Sequence, residues 1–228
     1  MCGIAGLFQR NSRRLHQEHL QEFAEKMANV MAHRGPDGSG VWVDERARCA
    51  LSHRRLSIID TSDAASQPFQ SGDGRWHLSF NGEIYNYRDI RGRLEREGCQ
   101  FRSRSDTEVL IEALALWGPG VIRELDGMFA FAAFDGQTGK LILARDPFGE
   151  KPLYYSWLDG GALAFASELR SLETLERFDR MIDVDALAEY LSFQYVGAPR
   201  SIYRNTAKLM PGTYMIVDPD GNAESTQY

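Results

Sequence analysis

The second residue of the chain is a cysteine, in the run Met1-Cys2-Gly3-Ile4-Ala5-Gly6-Leu7-Phe8. If Met1 is removed, one residue carries both a thiol and a free α-amine. The reference pKa of such an amine is about 7.7–8.0 and that of the thiol about 8.5. The amine is then a usable general base at neutral pH, a few bonds from the sulfur, and no histidine need be recruited. The competing reading makes Cys2 a small apolar residue of a buried first strand, because free cysteine often packs as a hydrophobe.

Other residues could complete such a site. In Phe80-Asn81-Gly82-Glu83-Ile84-Tyr85, an Asn-Gly at a strand end can aim a side-chain amide and a backbone N–H at one point, as an oxyanion hole requires. The same dipeptide also makes an ordinary hairpin turn. Arg55 could clamp a carboxylate with two parallel hydrogen bonds, or be a solvated charge at a strand end. Asp106 could pair with an ammonium group, or could answer the exposed N–H groups of a helix's first turn. His16-x-x-His19 has metal-ligand spacing but no third ligand nearby, which favours an exposed helix face. His33 and His53 are rival bases for Cys2 and read better as structural, since the amine already supplies that function.

The elements that must position these residues follow from periodicity. Residues 2–9 read as a strand, and Leu20, Phe23, Met27, Val30 and Met31 define an amphipathic helix over 17–32. Gly35 and Pro36 stop that helix. Strands are expected over 40–43, 48–54 and 76–81, the last after the turn Gly72-Asp73-Gly74. Asn86 caps a helix to about Gly98, and Ser105-Asp106-Thr107-Glu108 is a capping box opening another through Trp117. The apolar run 128–134, a turn at 135–139 and a return strand over 141–144 follow. A hairpin of 153–157 with 162–166, helices over 167–175 and 185–193, and a strand at 213–217 complete the reading. Arg88, Arg91, Arg93 and Arg96 alternate with acids, as on a solvated helix face. Many short strands joined by hairpins, with helices between, indicate an α+β fold.

The 228 residues suffice for one large domain with a sizeable core. The net charge of −6 speaks against nucleic acid as a partner. No apolar run approaches the roughly 18–20 residues of a membrane span, and the N-terminus lacks the basic and apolar regions of a secretory signal. Three widely spaced cysteines, Cys2, Cys49 and Cys99, fit a reducing compartment better than a disulfide framework. The expected location is cytoplasmic.

Several motifs occur together and in order: Cys2-Gly3-Ile4-Ala5-Gly6, His33-Arg34-Gly35-Pro36-Asp37, Arg55-Leu56-Ser57-Ile58-Ile59-Asp60, Asn81-Gly82-Glu83-Ile84-Tyr85-Asn86, Ser105-Asp106-Thr107-Glu108, Asp126-Gly127-Met128-Phe129-Ala130-Phe131, and Arg145-Asp146-Pro147-Phe148-Gly149-Glu150-Lys151-Pro152-Leu153-Tyr154-Tyr155. From Cys2 to about Met215 the chain resembles the glutaminase domain of class II glutamine amidotransferases, within them the asparagine synthetase type. The resemblance implies an N-terminal-nucleophile hydrolase fold, a four-layer αββα sandwich with two antiparallel sheets. It implies that Cys2 attacks L-glutamine and passes through a thioester intermediate. Arg55 would hold the α-carboxylate, with backbone groups at Ile58 and Ile59 lining the pocket. Asn81 and Gly82 would stabilise the oxyanion, and Glu83 with Asp106 would receive the α-ammonium. Arg145-Asp146 reads as architectural.

On this resemblance residues 1–228 form one glutaminase domain that needs no cofactor. The chain ends about where an ATP-dependent synthetase domain would begin, so ATP and Mg are expected only for that missing part. The implied partner is a synthetase domain or subunit that receives the ammonia, and a homodimer is left open. Two alternatives also stay open: a glutamine-binding regulatory or docking module with negligible turnover, and an amidotransferase of the same class acting on a sugar phosphate or in purine synthesis.

Overall fold

Strands that are apolar on both faces need cover on both sides, and the chain folds so as to supply it. In the computed structural model, residues 1–10, 16–46, 48–57 and 62–228 are described. In chain order the elements are β1 (Gly3–Phe8), α1 (Gln17–Asn29), β2 (Gly38–Val43), β3 (Cys49–Arg55), β4 (Phe69–Gln70), β5 (Trp76–Ile84), α2 (Tyr87–Arg96), α3 (Asp106–Trp117), β6 (Gly127–Asp135), β7 (Leu141–Arg145), β8 (Tyr154–Trp157), β9 (Leu163–Ala166), α4 (Leu169–Leu172), α5 (Val184–Phe193), β10 (Thr206–Lys208), β11 (Thr213–Val217) and β12 (Ala223–Gln227). Two antiparallel sheets result, in the orders β10-β8-β9-β1-β3-β2 and β12-β11-β7-β6-β5-β4.

The layers can be read from which residues bury together. Ile4, Phe8, Cys49 and Leu51 of the first sheet meet Ala130, Ala132, Phe134, Leu141 and Leu143 of the second. On the outer side of the first sheet, Ala5, Leu7 and Ala50 pack on Leu20, Ala24 and Met27 of α1. On the outer side of the second, Leu78, Phe80, Phe131 and Ala133 pack on Ile90 and Leu94 of α2 and on Val109, Leu110 and Leu114 of α3. This is the αββα sandwich, and each large buried side chain contributes about 1.5–3 kcal/mol relative to exposure.

The period of two along each strand then aims the chemistry. In β1, Ile4 and Phe8 face the other sheet, so Cys2, one step earlier in the same phase, faces it too. In β3, Cys49 and Leu51 face inward, and His53 and Arg55 continue that row. In β5, Leu78, Phe80 and Ile84 face the helices, which leaves Ser79, Asn81 and Glu83 directed at the first sheet. Two hydrogen bonds fix the approach of the sheets: Ser79 Oγ donates to Ser52 O at 3.2 Å, and His53 Nε2 meets Phe80 O at 3.0 Å. Gly6 is needed for close packing, since a Cβ there would lie 2.4 Å from both Ala50 O and Phe165 Cζ.

Several boundaries differ from expectation. The strand expected over 76–81 runs on to Ile84, because the long β6 pairs with all of it, through Asn81↔Ala130, Gly82↔Phe129 and Glu83↔Met128. Asn81-Gly82 is therefore strand interior and not a hairpin turn. The helix expected over 167–175 is a single turn, α4. Asn86 stands at the N-terminus of α2 without capping it: its side chain instead donates to Glu124 O at 2.8 Å and accepts from Asp126 N at 3.0 Å. Ser105 does cap α3, accepting from Glu108 N at 3.2 Å. The strands β4, β10 and β12 were not expected; β12 (Ala-Glu-Ser-Thr-Gln) is mostly exposed and has no apolar alternation to reveal it. Asp183 caps α5 through Asp185 N and Ala186 N. That helix leaves Val184, Tyr190, Leu191 and Phe193 exposed, beside the exposed Met181 and Tyr195.

Candidate active site

The inward rows of β1, β3 and β5 end together at one edge of the sandwich, and a cleft of about 160 Å³ opens there. Cys2, Arg55, Asn81, Gly82, Glu83 and Asp106 all line it. Every expected site residue within the described structure is thus brought to one place. Ile58 and Ile59 lie outside the described residues.

Cys2 sits half-buried just before β1. Leu56 N donates to its sulfur at 3.3 Å, and the thiol faces Leu56 O at 3.6 Å. Burial raises the thiol above its ordinary range, while the Leu56 N–H, the terminal amine, Arg55 and Arg34 draw it back only in part. The residue's carbonyl is held by Arg34 Nε at 2.9 Å. Met1 is present and exposed, and its sulfur lies 3.7 Å from Lys151 Nζ. In this form the Cys2 nitrogen is an amide and cannot act as a base; the chemistry argued from the α-amine requires Met1 to be removed.

Asn81 is 1% exposed, and among the described residues its Nδ2 has no hydrogen-bond partner. Leaving a buried donor unsatisfied costs about 1–3 kcal/mol, so such a group calls for an explanation. Lining the cleft, it is a donor open to a group that enters it. Gly82 lets β5 lie tightly on β6: a Cβ at that position would be 2.3 Å from Met128 O and 2.7 Å from Phe129 Cα. Gln67 braces this segment, accepting from Phe80 N at 2.6 Å and donating to Thr107 Oγ1 at 3.3 Å.

Asp106 begins α3, and its carboxylate accepts Ile84 N at 3.0 Å. Burial raises its pKa to about 6, against the lowering effect of the Ile84 and Thr107 N–H groups and with a further push from Glu83. Arg55 projects from the end of β3 and donates to Ser62 O at 3.0 Å. The cleft therefore has acids at Glu83 and Asp106, a guanidinium at Arg55, and the buried ammonium of Lys151. A small zwitterion is the ligand class that such poles complement.

The remaining candidates fall where expected or carry no chemistry. Arg145 is architectural: it donates to the carbonyls of Lys151 at 2.8 Å, Leu209 at 2.7 Å and Gly149 at 2.7 Å. The buried Asp146 accepts from the N–H groups of Phe129, Phe148, Glu150 and Lys151. Together they hold Lys151 and the start of β6 at the cleft. His53 is buried and neutral, its pKa lowered to about 4 by desolvation. His33 pairs with Glu168 at 3.0 Å. The rings of His16 and His19 lie 6.2 Å apart, and among the described residues no group of three His, Cys, Asp or Glu side chains could hold a metal.

Arg34, Leu56, Gln67 and Lys151 were not singled out from sequence. Arg34, Leu56 and Lys151 fall inside the motifs quoted above, which is the signal that could have found them. Leu56 acts through its backbone, and nothing about Gln67 marked it.

A family model described as a glutamine amidotransferase domain matches residues 1–228. Among curated proteins, the chain is similar to asparagine synthetase [glutamine-hydrolyzing] 1 of Bacillus subtilis, 40% identical over 229 residues, covering 100% of this chain and 35% of that protein. It is also similar to asparagine synthetase B [glutamine-hydrolyzing] of Escherichia coli, 36% identical over 172 residues, covering 75% of this chain and 30% of that protein. The chain thus spans about a third of the length of these relatives. Among solved structures, glutamine phosphoribosylpyrophosphate amidotransferase of Bacillus subtilis superposes with a TM-score of 0.71 at 21% identity, covering 99% of this chain and 49% of that one. That likeness is one of fold.

Proposed function

The chain belongs to the glutamine amidotransferase domain family, and from that premise we propose that it hydrolyses L-glutamine to glutamate and ammonia with Cys2 as an N-terminal nucleophile. The observation that carries the reading is the Nδ2 of Asn81, which has no hydrogen-bond partner among the described residues and is buried in the same cleft as the Cys2 sulfur.

Arg55 binds the glutamine α-carboxylate, and Glu83 with Asp106 binds the α-ammonium, so the side-chain amide is directed at Cys2. The α-amine, freed by loss of Met1, takes the thiol proton. The thiolate, favoured by the Leu56 N–H, attacks the amide carbon. Asn81 Nδ2 and Gly82 stabilise the oxyanion, a role in which one donor is worth roughly 10²–10³ in rate. The protonated amine gives its proton to the departing ammonia. Water, activated by the same amine, then hydrolyses the γ-glutamyl thioester. No cofactor enters these steps.

The ammonia is delivered to a synthetase domain or subunit that makes asparagine, and ATP with Mg acts in that part alone. The names of the relatives support this destination, as does their greater length. The exposed apolar side chains of α5 support a working state in which more protein covers this domain. Among the described residues no helix is long and apolar enough to cross a membrane, and Cys2, Cys49 and Cys99 are unpaired. The unpaired cysteines support a cytoplasmic setting.

The test is glutamate release from glutamine by chain freed of Met1, as verified by intact mass, alone and with a synthetase partner. Turnover by the native chain and none by Cys2→Ala is expected. A Cys2→Ala chain that hydrolyses glutamine at the native rate overturns the reading.

A further inference from the structure

A nucleophile whose base is its own α-amine must be the first residue of the chain, where backbone is least held. The strand pairing sharpens this problem. On one side, β3 covers β1 from Gly3↔Arg54 onward. On the other, β9 begins its pairing only at Ala5↔Ala166. Beyond the end of β9, the next two residues take over. Ile4 N donates to Ser167 Oγ at 3.0 Å, and Ser167 N donates to Ile4 O at 2.9 Å. Glu168 Oε1 then accepts from Arg34 Nη1 at 3.0 Å and lies 3.0 Å from His33 Nε2. Arg34 Nε in turn donates to Cys2 O at 2.9 Å.

We propose that Glu168 is a positioning residue for the nucleophile: by fixing the Arg34 guanidinium, its carboxylate holds the backbone of Cys2 once Met1 has gone. The inference rests on the glutaminase reading above. Glu168 does not line the cleft, so its link to Cys2 runs through Arg34. The Arg34 side chain is 10% exposed, and an almost buried guanidinium stripped of its anion is strongly unfavourable and will turn elsewhere. Burial raises the Glu168 carboxyl, but Arg34 and His33 bring it below the usual carboxylate range. It is therefore ionised at neutral pH, when the amine of Cys2 is needed as a base. Loss of this carboxylate frees the Cys2 carbonyl and lets the sulfur and amine wander, while Arg55, Glu83 and Asp106 are untouched.

The experiment uses chain processed to Cys2, in native, Glu168→Gln and Glu168→Ala forms, with Cys2→Ala alongside. Steady-state glutamine hydrolysis and the rate of Cys2 alkylation by iodoacetamide are measured. A displacement of order 1 Å costs up to about 10²-fold in rate, so kcat is expected to fall at least about tenfold in Glu168→Ala. KM should stay within about twofold, and Glu168→Gln, which keeps one acceptor for Arg34, should recover part of kcat. The alkylation rate should change in the same order. If Glu168→Ala does not fold, Glu168→Gln carries the same kcat-against-KM test. A kcat within twofold of native in the folded variants overturns the proposal, as does a loss confined to KM. Turnover by Cys2→Ala would sink the glutaminase reading instead, so the two failures are distinct.

Discussion

The backbone N–H of Leu56 donates to the sulfur of Cys2 at 3.3 Å, and the carbonyl of the same residue stands 3.6 Å from that sulfur. One peptide segment thus serves both protonation states, the carbonyl accepting from the thiol and the N–H donating to the thiolate. Leu56 follows β3 and Cys2 precedes β1, so the pairing Gly3↔Arg54 sets this contact.

Burial dominates the Cys2 thiol and raises it. In chain that retains Met1, alkylation of Cys2 by iodoacetamide should therefore rise with pH through a midpoint above the ordinary thiol value of about 8.5. Mass spectrometry of the N-terminal peptide follows the reaction. A plateau already reached at pH 7 would show that the thiolate is stabilised by something other than these contacts.

Asn81 bears a buried donor with no hydrogen-bond partner among the described residues. Asn81→Ala should lower kcat for glutamine by about 10²–10³, with a much smaller change in KM. Thermal stability should hold, because the donor removed has no hydrogen-bond partner among the described residues. Equal loss in kcat and folding stability would make Asn81 a structural residue.

Asp106 has a folded-state pKa of about 6, above its unfolded value of about 3.9. The folded protein therefore binds this proton more tightly. The stability it contributes is fully present below about pH 4 and is lost as pH rises through about 6. Asp106→Asn should accordingly stabilise the fold at pH 8 by something on the order of 3 kcal/mol, read as a higher Tm, and change stability little at pH 4. Glutamine binding should have the opposite sign, because in the proposed pose the ammonium pairs with the ionised carboxylate. Calorimetry on the Cys2→Ala chain should show affinity weakening below about pH 6, and Asp106→Asn should be weaker and flat with pH. A lower Tm at pH 8 for Asp106→Asn refutes the assignment of burial as the cause.

Gly82 leaves no room for a side chain: the added Cβ would meet Met128 O at 2.3 Å. Both neighbours are paired backbone, so the strands must part. Gly82→Ala should cost about 1–3 kcal/mol, seen as a lower denaturant midpoint, and should also displace Asn81. A variant as stable and active as the native chain would mean that β5 and β6 separate more easily than their register implies.

Much of the site was legible because its residues lie in short motifs with local chemical meaning. Cys2 is marked by its position, and Arg55, Asn81 and Asp106 by side chains suited to a carboxylate, an oxyanion and an ammonium. The fold was legible as strands and helices, but periodicity does not say which faces meet, so the four-layer order followed only from the resemblance. The strand-interior place of Asn81-Gly82 was hidden because the dipeptide is also a turn former; pairing with β6 over its full length decided the matter. Glu168 was invisible for another reason. It acts on Arg34 across 134 positions of chain, and no local pattern encodes such a contact. Helix α5 was expected over 185–193, yet the exposure of Leu191 and Phe193 could be seen only in three dimensions.

The central claim is that Cys2 forms a covalent γ-glutamyl thioester with glutamine. Rapid acid quench of processed chain mixed with glutamine, followed by intact-mass and peptide analysis, tests it most directly. The expected result is a mass increase of one glutamyl group on the peptide beginning at Cys2, absent in Cys2→Ala and more abundant early than late in the reaction. Glutamate formed at the native rate with no adduct on Cys2, or with the adduct on another residue, would contradict it.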